Sequence, residues 1–333
     1  MGRAVEEFPV IARARYRRVL HWLAVPAAMV VALIVLRTAP SAQSGYVHLN
    51  PVVEALSQGR HVFGVSTSDL SIENAVALAG NANIDYVYLD MEHNPLRFQE
   101  MKHFLAFITA GDKAGLIKRG NGQVRPAVFA RFPPYGREQT LWMVKHALDV
   151  GLNGILINNI ETREQAENIV RTMRPSQRRD SKIPTPPGMR GTVVCGFWAS
   201  PGTECRSRAD LWPLNPEGDL IFWPMIETME GVRNADAIAQ VPGVGGFYLG
   251  ASGDLSADLG VSNNHPDVEA ALAKILAVCQ ARKIPCGGTV NVANAAKFMA
   301  QGYRIINFGS AGGGLSAANE AARDAALKAG AKR

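Results

Sequence analysis

Ala127-Val-Phe-Ala-Arg131, a helical stretch over Glu138–Val150, and then Gly154-Ile-Leu-Ile-Asn158: this stretch decides the fold. Both flanking runs are short and almost unbroken in apolar residues, as parallel strands covered on two faces require. Between them, Leu141, Val144 and Leu148 recur at helical spacing. Gln139 and Asp149 lie away from that apolar face and the Lys145 stem runs along its border. Strand, helix and strand in this order form one β/α unit.

The unit repeats in both directions. Strands are predicted at His61–Val65, Tyr86–Asp90, Ala127–Arg131, Gly154–Asn158, Leu220–Ile226, Gly246–Gly250, Ile284–Thr289 and Ile305–Gly309, each bounded by Gly, Pro or Asn. The last long helix, Pro266–Arg282, opens on proline with Asn264 and His265 as candidate caps. Eight units in roughly 270 residues match a (β/α)₈ TIM barrel, and residues 43–333 are assigned to it. A doubly wound open sheet is the alternative, but no G-x-G-x-x-G follows the first strand, so a dinucleotide fold lacks support. Two stretches break the rhythm, Gly111–Arg125 and Arg174–Asn215. Long irregular connections are commonly functional, and the second is expected to cover the barrel mouth or to make an oligomer contact.

Hydrophobic residues make up 47% and charged residues 19%, the balance of an ordered globular chain. The net charge of +6 is unevenly placed. Arg3, Arg13, Arg15, Arg17, Arg18 and Arg37 stand against only Glu6 and Glu7 in residues 1–42, so +4 of it lies there. The remainder is close to neutral and gives no reason to invoke nucleic acid. Within those first residues a basic stretch precedes an apolar run, Val19–Leu36, and then Ala39-Pro-Ser-Ala42. That is the order of an export signal, and the run also reaches the minimum length of a spanning helix. Residues 1–42 are therefore read as a signal peptide or an N-terminal membrane anchor. The expected location is periplasmic or secreted, or membrane-attached through residues 19–36. Cys195 and Cys205 flank a loop they could close in an oxidising space, whereas Cys279 and Cys286 read as small core residues. Without a C-x-x-C pair, a structural zinc site has no support.

Side chains at the carboxy-terminal ends of barrel strands converge on one face. Here those ends carry Asp90-Met-Glu-His93, Arg131, Glu227 and, in the turn after strand six, Asp254. Paired carboxylates suit Mg²⁺ or Mn²⁺. A histidine near an aspartate can move protons near neutral pH, and an arginine can hold a carboxylate or a developing oxyanion. Taken singly, each also has an ordinary structural role, as a capping or ion-pairing group.

Tyr88-Leu-Asp-Met-Glu-His-Asn-Pro95, Ala130-Arg-Phe-Pro133, Ala147-Leu-Asp-Val-Gly151, Pro186-Pro-Gly-Met-Arg-Gly191, Met225-Ile-Glu-Thr228 and Gly253-Asp-Leu-Ser-Ala-Asp-Leu-Gly260 occur in that order. As an ordered set, from about His61 to Ser316, they resemble the HpcH/HpaI aldolase and citrate lyase family, in particular its class II pyruvate aldolases. The resemblance implies a barrel of the phosphoenolpyruvate/pyruvate-domain type. It also implies metal-dependent cleavage or formation of 4-hydroxy-2-oxo acids, giving pyruvate and an aldehyde. By the same resemblance, Glu227 and Asp254 bind the divalent ion (Mg²⁺ or Mn²⁺, with Co²⁺ a third candidate). Arg131, with Gly253 and Asp254, contacts the 2-oxo acid, and His93 with Asp90 serves the proton transfers. Asp149 matches a position associated with subunit contacts, and a homo-oligomer is expected.

The chain departs from the family pattern in three places. The loop Gly250-Ala-Ser-Gly-Asp254 is one residue longer, Met225 stands where glutamine is usual, and Gly309-Ser-Ala311 replaces Gly-x-Asp. Two alternative functions are a CoA-thioester lyase of the citrate lyase type and an exported, non-catalytic keto-acid-binding protein.

Overall fold

The computed structural model describes residues 46–110, 123, 125–133, 141–191, 205–249 and 252–333. The described residues from Val47 on belong to the unit Val47–Arg333; Met1–Tyr46 is a separate unit of which only Tyr46 is described. Eight parallel strands form the sheet: β1 (Val62–Thr67), β2 (Tyr86–Asp90), β3 (Ala127–Phe132), β4 (Gly154–Ile157), β5 (Ile221–Pro224), β6 (Phe247–Tyr248), β7 (Cys286–Thr289) and β8 (Ile305–Ser310). Their order, β5-β4-β3-β2-β1-β8-β7-β6, is that of a ring opened between β5 and β6. A parallel bridge from Phe222 to Val244, with Gly245 N–H donating to Phe222 O at 3.0 Å, nearly closes that gap. The (β/α)₈ expectation holds.

Alternation along the strands divides the core. Phe63, Val65, Val87, Leu89, Val128, Ala130 and Ile155 pack outward against the helical layer. Val62, Tyr86, Tyr88, Phe129, Leu156, Trp223, Met225 and Ile305 fill the interior. Gly64 is required in that interior, because a Cβ there would fall 2.4 Å from the Tyr86 ring.

The floor of the barrel is sealed by α1 (Pro51–Ser57), an element the sequence reading did not anticipate. Asn50 caps it by accepting from Val52 N–H, and Val52, Val53, Ala55 and Leu56 are buried in the interior cluster. Asp219, just before β5, clamps this segment. Its Oδ1 lies 3.0 Å from His48 Nδ1 and accepts from Leu49 N–H at 3.0 Å, and its Oδ2 takes Arg208 Nη1 at 2.8 Å.

The remaining helices are α2 (Ile72–Leu78), α3 (Phe98–Ala110), α4 (Leu141–Val150), α5 (Arg163–Met173), the short α6 (Cys205–Arg208) at the floor, α7 (Met229–Ala239), α8 (Ser252–Leu259), α9 (Pro266–Arg282), α10 (Ala295–Ala300) and α11 (Ala317–Lys328). Residues 134–140, where α4 was predicted to begin, lie outside the described residues.

Two expectations need correction. The stretch Arg174–Asn215 does not cover the mouth in its described parts. Those parts adjoin the end of α5 and the start of β5 and so lie at the floor. Arg174, fully buried, ties it down through Asp210 at 2.8 and 2.9 Å. Asp149, in the last turn of α4, pairs with Lys145 at 3.0 Å and Arg190 at 3.5 Å. Cys279 and Cys286 are not merely core residues. They form a disulfide joining α9 to β7, whereas Cys195 and the side chain of Cys205 fall outside the described residues.

Candidate active site

Asp90 and Arg131 are register partners at the ends of β2 and β3. Arg131 donates to both oxygens of Asp90, Nε to Oδ1 at 3.1 Å and Nη2 to Oδ2 at 2.8 Å. Its remaining nitrogen, Nη1, lies 3.0 Å from Glu92 Oε2, and the Tyr88 ring faces the guanidinium at 5.8 Å. Burial alone would lower the guanidinium pKa. The hydrogen bond to Asp90 and the charges of Tyr88, Asp90 and Glu92 outweigh it and hold the group above its ordinary value. Arg131 is thus a fixed, permanent cation in the mouth.

Glu92 is the junction of the site. The same Oε2 accepts from Asn158 Nδ2 at 2.7 Å and lies 3.2 Å from His93 Nε2. Burial is the largest influence on this carboxyl and raises its pKa; Arg131 and His93 oppose that shift, while Asp254 and Asp90 add to it.

Glu227 follows β5 and is 1% exposed. Its Oε2 accepts from Asn159 N–H at 3.2 Å. That amide is turned inward because Asn159 adopts φ 50°, a left-handed conformation asparagine tolerates better than most residues. Glu227 Oε1 is buried and finds no hydrogen-bond partner among the described residues. Burial, then the charges of Asp254 and Glu92, push this carboxyl to about 8.

Asp254 stands in the first turn of α8, on the same face as Asp258 one turn later. Asp258 Oδ2 accepts from Met229 N–H at 2.7 Å, two residues beyond Glu227, which lays α8 across the start of α7. The charge of Asp254 is accordingly felt at both Glu227 and Glu92. Gly253 is exposed beside it, with its carbonyl accepting from Ser256 Oγ at 2.7 Å. Gly250 and Ala251 of this loop lie outside the described residues.

Glu227 and Asp254 are the residues that could hold a divalent ion. A buried carboxylate with an unpaired oxygen, and carboxylate neighbours that destabilise its own charge, suit a hard cation. No group of three or more His, Cys, Asp or Glu ligands forms among the described residues. Water or substrate oxygens would therefore complete the shell, an arrangement Mg²⁺ favours.

The structure brings Asp90, Arg131, Glu227 and Asp254 to one end of the barrel but pairs them differently from expectation. Asp90 is engaged by Arg131. His93, with a side chain 64% exposed, faces Glu92 instead. The sequence reading gave no role to Glu92, Asn158 or Asn159. Glu92 was legible, because residues two apart at a strand end share a face.

A family model described as HpcH/HpaI aldolase/citrate lyase matches residues 68–318. The chain belongs to this family. Among relatives of HpcH/HpaI type, it is 30% identical over 261 residues to a hydroxypyruvate/pyruvate aldolase of Paraburkholderia phytofirmans, covering 77% of this chain and 90% of that one. It is 30% identical over 248 residues to a 5-keto-4-deoxy-D-glucarate aldolase of Shigella dysenteriae, covering 73% and 84%. Among solved structures, an HpcH/HpaI family protein from Burkholderia cenocepacia superposes with a TM-score of 0.63 at 27% identity, covering 78% and 93%. The protein is thus an enzyme of the aldolase/lyase class, built to act on a carbon–carbon bond. In this HpcH/HpaI barrel, Met225 is 1% exposed and packs in the interior cluster, an apolar residue two positions before Glu227.

Proposed function

We propose that this enzyme is a divalent-metal-dependent aldolase that cleaves or forms 4-hydroxy-2-oxo acids, giving pyruvate and an aldehyde. The observation that carries the reading is the buried, unpaired Glu227 oxygen within the field of Asp254 and Glu92, in a mouth that also holds Arg131 as a fixed cation. Bound at Glu227 and Asp254, the ion would supply Lewis acidity to the 2-oxo group.

The side chains do the rest. In cleavage the 4-hydroxyl loses its proton, the C3–C4 bond breaks, and its electron pair passes into the enolate of pyruvate. Arg131 is held by Asp90 and Glu92 and stabilises the negative oxygen as it develops. His93, against Glu92 and open to solvent, relays the proton that is lost from the hydroxyl and regained at C3. A Schiff-base route would need a lysine at a strand end, and none stands there among the described residues.

Exchange of the pyruvate methyl protons with deuterated water, with and without Mg²⁺ or Mn²⁺, tests the reading. Metal-dependent exchange supports it; binding without exchange would make the protein a keto-acid binder. His93→Ala should slow exchange by about 10²–10⁴. An unchanged rate in a folded variant would show that His93 only supports its loop.

The proposal extends to location. The basic and apolar order of residues 1–42 suggests export, and the Cys279–Cys286 disulfide suits an oxidising space. No helix among the described residues is long and apolar enough to cross a membrane, and Val19–Leu36 lies outside them. Fractionation, with mass measurement of the mature amino terminus, should recover the barrel outside the cytoplasm. Recovery of uncut chain in the cytosol would refute export.

A further inference from the structure

Asn158 is 1% exposed and follows β4 into the mouth, yet the chemistry proposed above does not use it. Its orientation is settled by its neighbour. A carboxylate accepts and does not donate, so the group 2.7 Å from Glu92 Oε2 must be the amide nitrogen. The carboxamide oxygen is therefore turned away from Glu92. This Oδ1 is buried and meets no hydrogen-bond donor among the described residues. Two donor groups of the same mouth are already engaged: Arg131 spends its three nitrogens on Asp90 and Glu92, and Asn159 N–H is given to Glu227. A buried carbonyl-type oxygen is costly to leave unpaired, and turning the side chain to find another partner would break the 2.7 Å bond to Glu92.

We propose that Asn158 Oδ1 accepts a hydrogen bond from a hydroxyl group of the bound 2-oxo acid, making Asn158 a specificity-determining residue for hydroxylated over deoxy substrates. The inference rests on the aldolase reading above. Pyruvate carries only acceptors at its carboxylate and ketone, so it leaves Oδ1 unpaired. A 2-oxo acid with a hydroxyl on C3 brings the missing donor without adding charge. A site that hydrogen-bonds a substrate hydroxyl discriminates strongly against the analogue lacking it, because its own polar group is then stranded.

The test compares pyruvate and hydroxypyruvate as nucleophile in aldol addition to one common aldehyde, in wild type, Asn158→Leu and Asn158→Ala, with metal saturating. Wild type should favour hydroxypyruvate in kcat/KM by about 10- to 100-fold, the scale expected when one buried group is left unsatisfied. Both variants also lose the bond to Glu92, which should lower both reactions by a common factor. The preference between the two acids isolates Oδ1, and it should fall to within a few-fold of unity.

Asn158→Ala keeps the test open if the leucine variant does not fold. No preference in wild type, or a preference that survives both substitutions, overturns the proposal. An equal loss for both acids with weakened Mn²⁺ binding also overturns it, since the donor is then a water on the ion. Absence of metal-dependent turnover with either acid in wild type would be a failure of the aldolase reading itself, distinguishable from all of these.

Discussion

Arg131→Ala is expected to depress aldol cleavage and pyruvate proton exchange together, by about 10²–10³. The enolate oxygen is common to both reactions, and Arg131 is the fixed cation placed to meet it. Removing the guanidinium also frees Asp90 and Glu92, which now share one cation between three hydrogen-bonding nitrogens. Their like charges would then face each other in a partly buried mouth. Arg131→Lys should recover only a minor part of the rate, because a single ammonium lacks the planar fork that spans both carboxylates. Steady-state cleavage and deuterium exchange, measured side by side, check this. Exchange that survives while cleavage is lost would move Arg131 from the enolate to the aldehyde half of the reaction.

Glu227→Gln is expected to abolish metal-dependent turnover while leaving the barrel folded, because it removes the buried ligand charge but keeps the shape. A stability signature should accompany the loss. In chelated wild-type protein the folded carboxyl is raised to about 8 from the 4.5 of an unperturbed glutamate. Between those values the native state holds a proton that the unfolded state has released. Stability therefore falls as pH rises through this window, by up to about 1.4 kcal/mol per pH unit, and levels off above it. Glu227→Gln cannot titrate and should lack that slope. Excess Mg²⁺ or Mn²⁺ should flatten it in wild type by replacing the proton. Denaturant melts at several pH values, with and without metal, would read all three; an identical slope in the variant would place the titrating group elsewhere.

The sequence made the barrel legible because each strand announces itself twice, by an apolar run and by Gly, Pro or Asn at its ends. The strand-end acids were legible for the same reason, since a polar residue ending an apolar run has only the mouth to occupy. Pairing was not. Asp90 and His93 stand three apart in sequence, but the register of β2 with β3 offers Asp90 the guanidinium of Arg131, a partner that binds both its oxygens. Asn158 and Asn159 looked like an ordinary strand exit. Their roles depend on one side chain reaching Glu92 and one backbone turning left-handed, and neither leaves a periodic trace. The length of Arg174–Asn215 suggested cover for the mouth, but its described parts follow a helix end and precede a strand start, which places those parts at the floor.

The clamp at Asp219 has a consequence for the order in which the molecule can be completed. His48 and its anchoring carboxylate are 171 residues apart. At ordinary synthesis rates that gap takes on the order of 10–30 s to make. Throughout that interval Val52, Val53 and Leu56 have been produced but the strand start that fastens them has not. The barrel's first-made segment therefore cannot be fastened by this clamp until synthesis is well past the chain's midpoint.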